Sequence, residues 1–149
     1  MKNGGLERRD FNNQYMINPY ELRLGNYILQ KTDNKIRTVQ CSYHHIDLLA
    51  KGDNSSLYPL LLKPELLEKC GFKENKGYPL LPDAREYILV LPVQGSNKNE
   101  VCAYIKNNKE CFGRAVVNGS VASTNFYTMH SLQNIYFALT GEELVADLV

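Results

Sequence analysis

The sequence predicts an α+β protein, and three patterns indicate this class. Near the C-terminus, Leu132, Ile135, Tyr136 and Leu139 have the i, i+3, i+4 and i+7 spacing that places apolar side chains on one side of a helix. Upstream, short apolar runs alternate with turn-forming residues, which is typical of antiparallel strands. A second, shorter helix is marked by a proline at its start and a glycine just after its end. We therefore expect a small β lobe followed by a sheet that packs against the C-terminal helix.

Composition is that of a water-soluble globular protein. The 149 residues suffice for one compact domain or two small lobes, and 44% are hydrophobic against 22% charged. The net charge of +1 indicates no general attraction to nucleic acids or membrane surfaces. The N-terminal residues lack the apolar core of a secretion signal, so we expect a cytoplasmic protein. The cysteines form no CxxC pair, which favours free thiols over a zinc site, and no cofactor or metal is expected. They are Cys41, Cys70, Cys102 and Cys111.

The N-terminal half divides into an arm and a lobe. Residues 1–18 are rich in asparagine, glycine and charge, and we expect a flexible arm. Residues 19–72 predict a small SH3-like antiparallel β lobe with a short helix, which begins at Pro64 and ends before Gly71. Asp33 and Asn34 are expected to turn the chain between the first two strands. The four predicted strands are residues 27–30, 35–41, 44–50 and 57–62.

The C-terminal half predicts an antiparallel sheet covered by a helix. Residues 73–85 contain prolines and glycine and are expected to connect the lobes. Residues 86–149 predict a four-stranded meander and a C-terminal helix within residues 128–144, which Gly141 is expected to end. The alternative is that the whole chain forms one continuous domain. Asn118 and Gly119 are the strongest hairpin signal. If Asn107 and Asn108 form a two-residue turn, Cys111 lies opposite Tyr104. The predicted strands are residues 86–91, 100–106, 110–117 and 120–127.

Few residues have catalytic or metal-binding chemistry in a useful arrangement. Cys41, His44, His45 and Asp47 form one local cluster. On a predicted strand only His45 and Asp47 share a face, so surface histidines are favoured over a metal site or a histidine-assisted ligand contact. His130, at the start of the main helix, is expected to have a structural role. Since no catalytic motif is present, we expect a non-catalytic protein.

Exposed tyrosines and basic residues are the expected binding groups. Tyrosine combines a flat apolar ring with a polar hydroxyl and loses little entropy when it is fixed, which suits recognition surfaces. The loop at residues 94–99 adds serine and lysine that would suit a phosphate, but it lacks the spacing of a phosphate-binding loop. The predicted binding residues are Arg23, Tyr27, Lys35, Arg37, Tyr43, His45, Ser96 and Lys98.

Three segments resemble a family of small proteins from phages and prophages of Bacteroidota. They are ELRLGNYI from residue 21, LLKPELLEKCGF from residue 61 and HSLQNIYFALTGEEL from residue 130. Members of the family typically begin with ELRIGNxV and finish with HQLQNLYFALTGEEL, so Ser131 stands where the family usually has glutamine. Residues 73–125 lie outside the resemblance. It implies a viral or mobile-element origin and transfers no catalytic residues.

Origin and the lack of a catalytic pattern together suggest a function. We expect a phage-encoded binding protein that antagonises a host factor in the host cytoplasm, by occluding a host protein such as an immune-defence component or by sequestering a signalling nucleotide. One alternative is a nucleic-acid-binding accessory module, because Arg23, Lys31, Lys35 and Arg37 are expected to cluster near one end of the SH3-like lobe. Another is a virion-associated structural protein. A homo-oligomer is compatible with each of these.

Overall fold

The computed structural model of the protein describes residues 16–77, 81, 83–92, 98–107 and 110–149. Their fold is α+β, as predicted, with two antiparallel sheets of three and five strands and a C-terminal helix. The chain forms two compact units. The first contains residues 16–61 and Thr128–His130, and the second contains the described residues between 62 and 127 together with Ser131–Leu148. The predicted arm lies, for residues 1–15, outside the described residues.

The first unit is built on a three-stranded sheet with the order β2-β1-β3. A turn of 3₁₀ helix at Pro19–Glu21 precedes it. Asp33 and Asn34 both have positive φ, 51° and 67°, and they form the two-residue turn that suits the right-handed twist of a hairpin. The elements of the sheet and its helix are β1 (Tyr27–Thr32), β2 (Lys35–Gln40), α1 (Tyr43–Ala50) and β3 (Leu57–Pro59).

The strand predicted at residues 44–50 is wrong, because this segment is the helix α1. Ser42 and His45 form a capping box, in which the Ser42 backbone N–H donates to His45 Nδ1 at 3.0 Å. Ile46 and Leu49, spaced by three residues, both pack into the core of the unit. With one of its predicted strands replaced by a helix, the unit does not confirm an SH3-like lobe.

The sheet of the first unit has a compact core on one face. Ile28 of β1 is completely buried, and Val39 of β2 packs against the same cluster. Beyond β3, the chain continues to pair: Met129 N–H donates to Leu60 O at 2.7 Å, next to an antiparallel bridge between Leu61 and Thr128. The buried members of the core are Ile17, Leu22, Ile28, Cys41, Leu49 and Leu57.

The second unit contains a five-stranded antiparallel sheet with the order β4-β5-β6-β7-β8. The short helix is confirmed, with Pro64 at its first position and Gly71 at a φ of 94° after its end. Residues 73–85 are not only a connection, because Lys73, Glu74 and Asn75 pair with β5 and add a fifth strand. The elements are α2 (Pro64–Lys69), β4 (Lys73–Asn75), β5 (Ala84–Val90), β6 (Asn99–Lys106), β7 (Cys111–Val117) and β8 (Ser120–Val121).

The last predicted strand is shorter than expected. The turn of Asn118 and Gly119 is confirmed, with φ values of 53° and 82°, but regular pairing stops at Val121. Phe126 then returns to β7 and exchanges two backbone hydrogen bonds with Gly113, at 2.8 and 2.9 Å. A Cβ at Gly113 would lie 2.7 Å from the Phe126 ring, so this approach requires glycine.

The predicted register of the β6–β7 hairpin is also wrong. Cys111 lies opposite Ile105, and Tyr104 lies opposite Phe112. Lys106 N–H donates to Glu110 O at 3.1 Å, so three residues lie between this pair, one more than the predicted turn has. One additional turn residue shifts the pairing by one position along the partner strand.

The C-terminal helix α3 spans Met129–Thr140, and its predicted end is confirmed. Gly141 has a φ of 75° and donates its N–H to Phe137 O at 2.8 Å, which satisfies a terminal carbonyl. Leu132 is completely buried, whereas Ile135, Tyr136 and Leu139 are only half-buried. From Ser131 onward the helix belongs to the same compact unit as the five-stranded sheet. Within the residues described, no helix has the length and apolarity needed to cross a membrane.

Candidate binding surface

The structure separates the predicted binding residues into different environments. Tyr43 is the first residue of α1 and is 77% exposed. Lys35 and Arg37 are exposed on β2, and Lys98 is exposed just before β6. Arg23 and His45 are half-buried, and Ser96 lies outside the described residues. Tyr27 is only 7% exposed, so it is not available to a partner.

Three large side chains of the first unit stand out into solvent and define what we term the aromatic patch: Tyr20, Leu24 and Tyr43. They are 95%, 62% and 77% exposed. Gly25 N–H donates to Cys41 O at 2.8 Å, which joins the backbone directly after Leu24 to the chain two residues before Tyr43. The 3₁₀ turn that carries Tyr20 also contacts α1. Three neighbouring segments therefore contribute one exposed apolar group each, although only Tyr43 was predicted.

The backbone under the aromatic patch is held by short hydrogen bonds. Asn26, which is buried, accepts the Arg23 N–H on its side-chain oxygen at 2.6 Å and receives the Cys41 N–H on its carbonyl at 2.6 Å. Asn18 accepts the Tyr20 N–H at 3.0 Å and so caps the 3₁₀ turn. A partner would therefore meet backbone that is already ordered, which lowers the entropy cost of binding.

The basic residues of the first unit do not form the single predicted cluster. Arg23 precedes β1, whereas Lys31, Lys35 and Arg37 lie toward the turn at the other end of the hairpin. From Tyr27 at the start of β1, the strand runs roughly 10 Å to the level of Arg37 and roughly 17 Å to the level of Lys35. The side chains of Lys35 and Arg37 share one face of the sheet, because they alternate with Ile36 along β2. Lys31 lies opposite Ile36 and shares the other face.

The side chains of the cluster around His45 make contacts at the start of α1 and along it. His45 Nδ1 accepts the Ser42 N–H and lies 3.1 Å from Ser42 Oγ, so this ring nitrogen is occupied. Burial, and then the neighbouring His44, lower the pKa of His45. Asp47 forms an ion pair with Lys51 at 3.0 Å. Across the described part of the chain, no three histidine, cysteine or acidic side chains converge as metal ligands.

A buried polar network lies in the second unit and was not predicted. Glu86 of β5 accepts a hydrogen bond from Asn75 of β4 at 2.7 Å, and it pairs across the strands with Tyr104 of β6. The Arg114 guanidinium lies 5.0 Å from the centre of the Tyr104 ring. Burial, followed by a hydrogen bond to Glu86, raises the pKa of Tyr104, which keeps the phenol protonated. The sequence feature that could have indicated this network is a charged residue, Glu86 or Arg114, within each of two largely apolar strands.

The remaining candidate nucleophiles and bases are buried. All four cysteines are free and buried, and burial raises the pKa of Cys70 to about 11 and that of Cys111 to about 12. These thiols are protonated at neutral pH and therefore poor nucleophiles. His130 is 2% exposed, and burial lowers its pKa to about 4. Its Nε2 lies 3.5 Å from Thr128 Oγ1 and 4.0 Å from Glu21 Oε1. This burial agrees with the structural role expected for His130.

Comparisons with models of protein families, with curated proteins and with solved structures found no match.

Proposed function

We propose that this chain is a phage-encoded, non-catalytic binding protein that attaches to a host protein in the host cytoplasm and occludes it. The aromatic patch is the observation that carries the proposal, because two tyrosines and a leucine, 62 to 95% exposed, stand on an ordered backbone. An immune-defence component is the class of host target that fits a phage antagonist. The similarity of residues 130–144 to phage proteins supports this origin.

The patch has the chemistry of a protein interface. Tyrosine is enriched among residues that dominate binding energy, and burying one large apolar side chain contributes about 1.5–3 kcal/mol. Arg23, directly before Leu24 in the sequence, is half-buried. Tyr20 at 95% exposure does not line an enclosed cavity, whereas small-molecule sites bury most of their ligand. A protein surface is therefore favoured over a signalling nucleotide as the target.

The environments of the reactive side chains support a non-catalytic role. His45 accepts a capping hydrogen bond, and His130 is buried at the start of α3. The buried cysteines have raised pKa values, which disfavours the reactive thiolate. In the second sheet Tyr104 lies opposite Glu86, and the Arg114 guanidinium lies 5.0 Å from the centre of its ring.

The test is affinity capture from the lysate of a Bacteroidota host, followed by mass spectrometry and titration with the purified partner. The Tyr20→Ala/Tyr43→Ala double variant should bind at least tenfold more weakly, because each tyrosine contributes roughly 1 kcal/mol or more. Val90→Ala/Val145→Ala is the matched control, since both valines are exposed in the second unit. It should bind like the wild type. Equal binding by all three proteins, or no host protein retained, would contradict the proposal.

A further inference from the structure

We infer that the outer edge of β2 is a docking site for an extended acidic segment of a partner protein, which adds to the first sheet as a fourth strand. The inference rests on the proposed binding function but not on the aromatic patch. It concerns the hairpin of β1 and β2, which extends away from the turn that carries Arg23 and Leu24.

Among the described residues, β2 is the longest open edge. It has six residues and lies at the end of the order β2-β1-β3. The opposite side of that sheet continues at Leu60 and Leu61, which pair with Met129 and Thr128. The outer strands of the other sheet, β4 and β8, have only three and two residues. Proteins commonly protect edges by shortening or covering them, and β2 is neither short nor covered by a described strand.

The backbone of β2 presents hydrogen-bonding groups outward at alternate positions. Because Asp33 and Asn34 form a two-residue turn, the flanking pair of Thr32 and Lys35 is a hydrogen-bonded pair. The same alternation directs the backbone N–H and C=O groups of Arg37 and Val39 toward β1. The N–H and C=O groups of Ile36 and Thr38 therefore point away from β1, and Ile36 is 59% exposed. An added strand would satisfy these groups in the way that edge-binding peptides do.

The basic residues of the β1–β2 hairpin indicate that a strand bound at this edge would be acidic. Lys35 and Arg37 lie on one face and Lys31 on the other, and no described ion pair neutralises them. Asp33 in the turn is the single acidic residue between Tyr27 and Gln40. A strand with glutamate or aspartate at alternate positions would place carboxylates beside Lys35 and Arg37, and opposite charges on neighbouring strands stabilise a sheet.

The same charges disfavour two other occupants. An antiparallel pair of β2 strands from two copies, centred on Ile36, would set Lys35 of one copy opposite Arg37 of the other, which is repulsive. A nucleic acid needs cations aligned along its phosphates. Here the three cations are divided between two faces of the hairpin, with Asp33 between them in sequence. An acidic extended peptide fits this arrangement best.

The test uses a fluorescent nine-residue peptide that alternates glutamate and valine, with a lysine-for-glutamate version as control. The glutamate peptide should bind the full-length protein, shift the amide resonances of Ile36 and Thr38, and protect those amides from exchange. Lys35→Gln/Arg37→Gln should weaken binding at least tenfold, and Lys69→Gln, at an exposed lysine of the second unit, should not. Thr38→Pro removes an outward N–H without touching the pairing with β1, and it should also weaken binding. The Tyr20→Ala/Tyr43→Ala protein should bind the peptide normally, which separates this site from the aromatic patch.

Several outcomes would overturn the inference. These are equal binding of the two peptides, undiminished binding by Lys35→Gln/Arg37→Gln, or amide shifts that lie outside β2. Concentration-dependent dimers that are lost in Thr38→Pro would assign the edge to a second copy instead. Tighter binding of a 20-nucleotide DNA than of the peptide, lost in Lys35→Gln/Arg37→Gln, would assign it to nucleic acid. If the peptide binds but no host protein is captured, only the proposed host antagonism fails.

Discussion

His130 is a buried titratable side chain, and we expect it to make the stability of the first unit depend on pH. Its ring is almost completely buried, and its Nδ1 has no hydrogen-bond partner among the described atoms. The charged group that faces it is the carboxylate of Glu21, 4.0 Å from Nε2. Burial penalises the protonated ring and lowers its pKa from 6.5 to about 4. The native state therefore favours the neutral form of the His130 ring.

The expected consequence is a loss of stability in mild acid. Between pH 6.5 and 4 the unfolded chain binds a proton at His130 that the folded chain does not bind, so the free energy of unfolding rises with pH in this window. The contribution is complete above pH 6.5 and falls by roughly 3 kcal/mol as the pH approaches 4. Urea melts at several pH values should show a smaller loss for His130→Gln than for the wild type. Identical pH profiles would rule out this coupling.

Helix α3 shows the difference between periodicity and burial at the scale of an element. The spacing of its apolar residues predicted one buried stripe, but Leu132 is completely buried while Leu139, two turns further on, is half-buried. Met129, His130 and Gln133 are also buried near the start of the helix. His130 is two residues before Leu132 and so lies on nearly the opposite side of the helix. The start of α3 is therefore buried beyond the stripe that the pattern predicted.

The two leucines should respond differently to truncation. Leu132→Ala should lower the free energy of unfolding by about 2–5 kcal/mol, because it leaves a cavity in packed surroundings. Leu139→Ala is the matched control, with the same chemical change in the same helix, and it should cost less because solvent already reaches the side chain. Urea denaturation of both variants measures the difference. Equal losses would show that the first turns of α3 do not anchor the helix.

At the scale of the whole molecule, the first unit is not continuous in sequence. Residues 16–61 are completed by Thr128–His130, which supply backbone partners to Leu60 and Leu61 and the completely buried side chain of Met129. Removing them exposes backbone groups that the native unit pairs.

A fragment of residues 16–61 should therefore not fold cooperatively, whereas the intact chain should. The fragment lacks the Met129 hydrogen bond and the Thr128 bridge, and a small unit has little stability to lose. Circular dichroism melts and amide spectra of the fragment and the intact chain provide the measurement. A dispersed spectrum and a sharp melting transition for the fragment alone would contradict this dependence.

Local chemistry alone determined several features of this protein. The turn of Asp33 and Asn34, the hairpin of Asn118 and Gly119, and the end of α3 at Gly141 were all predicted. Each depends on the backbone freedom of one or two residues, which their neighbours hardly alter. The α+β class follows from the same signals, because turns and caps divide the chain into its elements.

Only the tertiary structure decided which side chains meet a partner. Tyr27 and Tyr43 are the same residue type, yet the first lies in the interior and the second is exposed. The sequence of residues 44–50 is compatible with a strand, but in the structure this segment is a helix. A capping box lies at its start, and Ile46 and Leu49 pack in the core. Strand β2 is an open edge because it ends the order β2-β1-β3, whereas Thr128 and Met129 pair with the chain beyond β3 on the opposite side. Burial and edges depend on contacts between residues distant in sequence, and no local pattern encodes them.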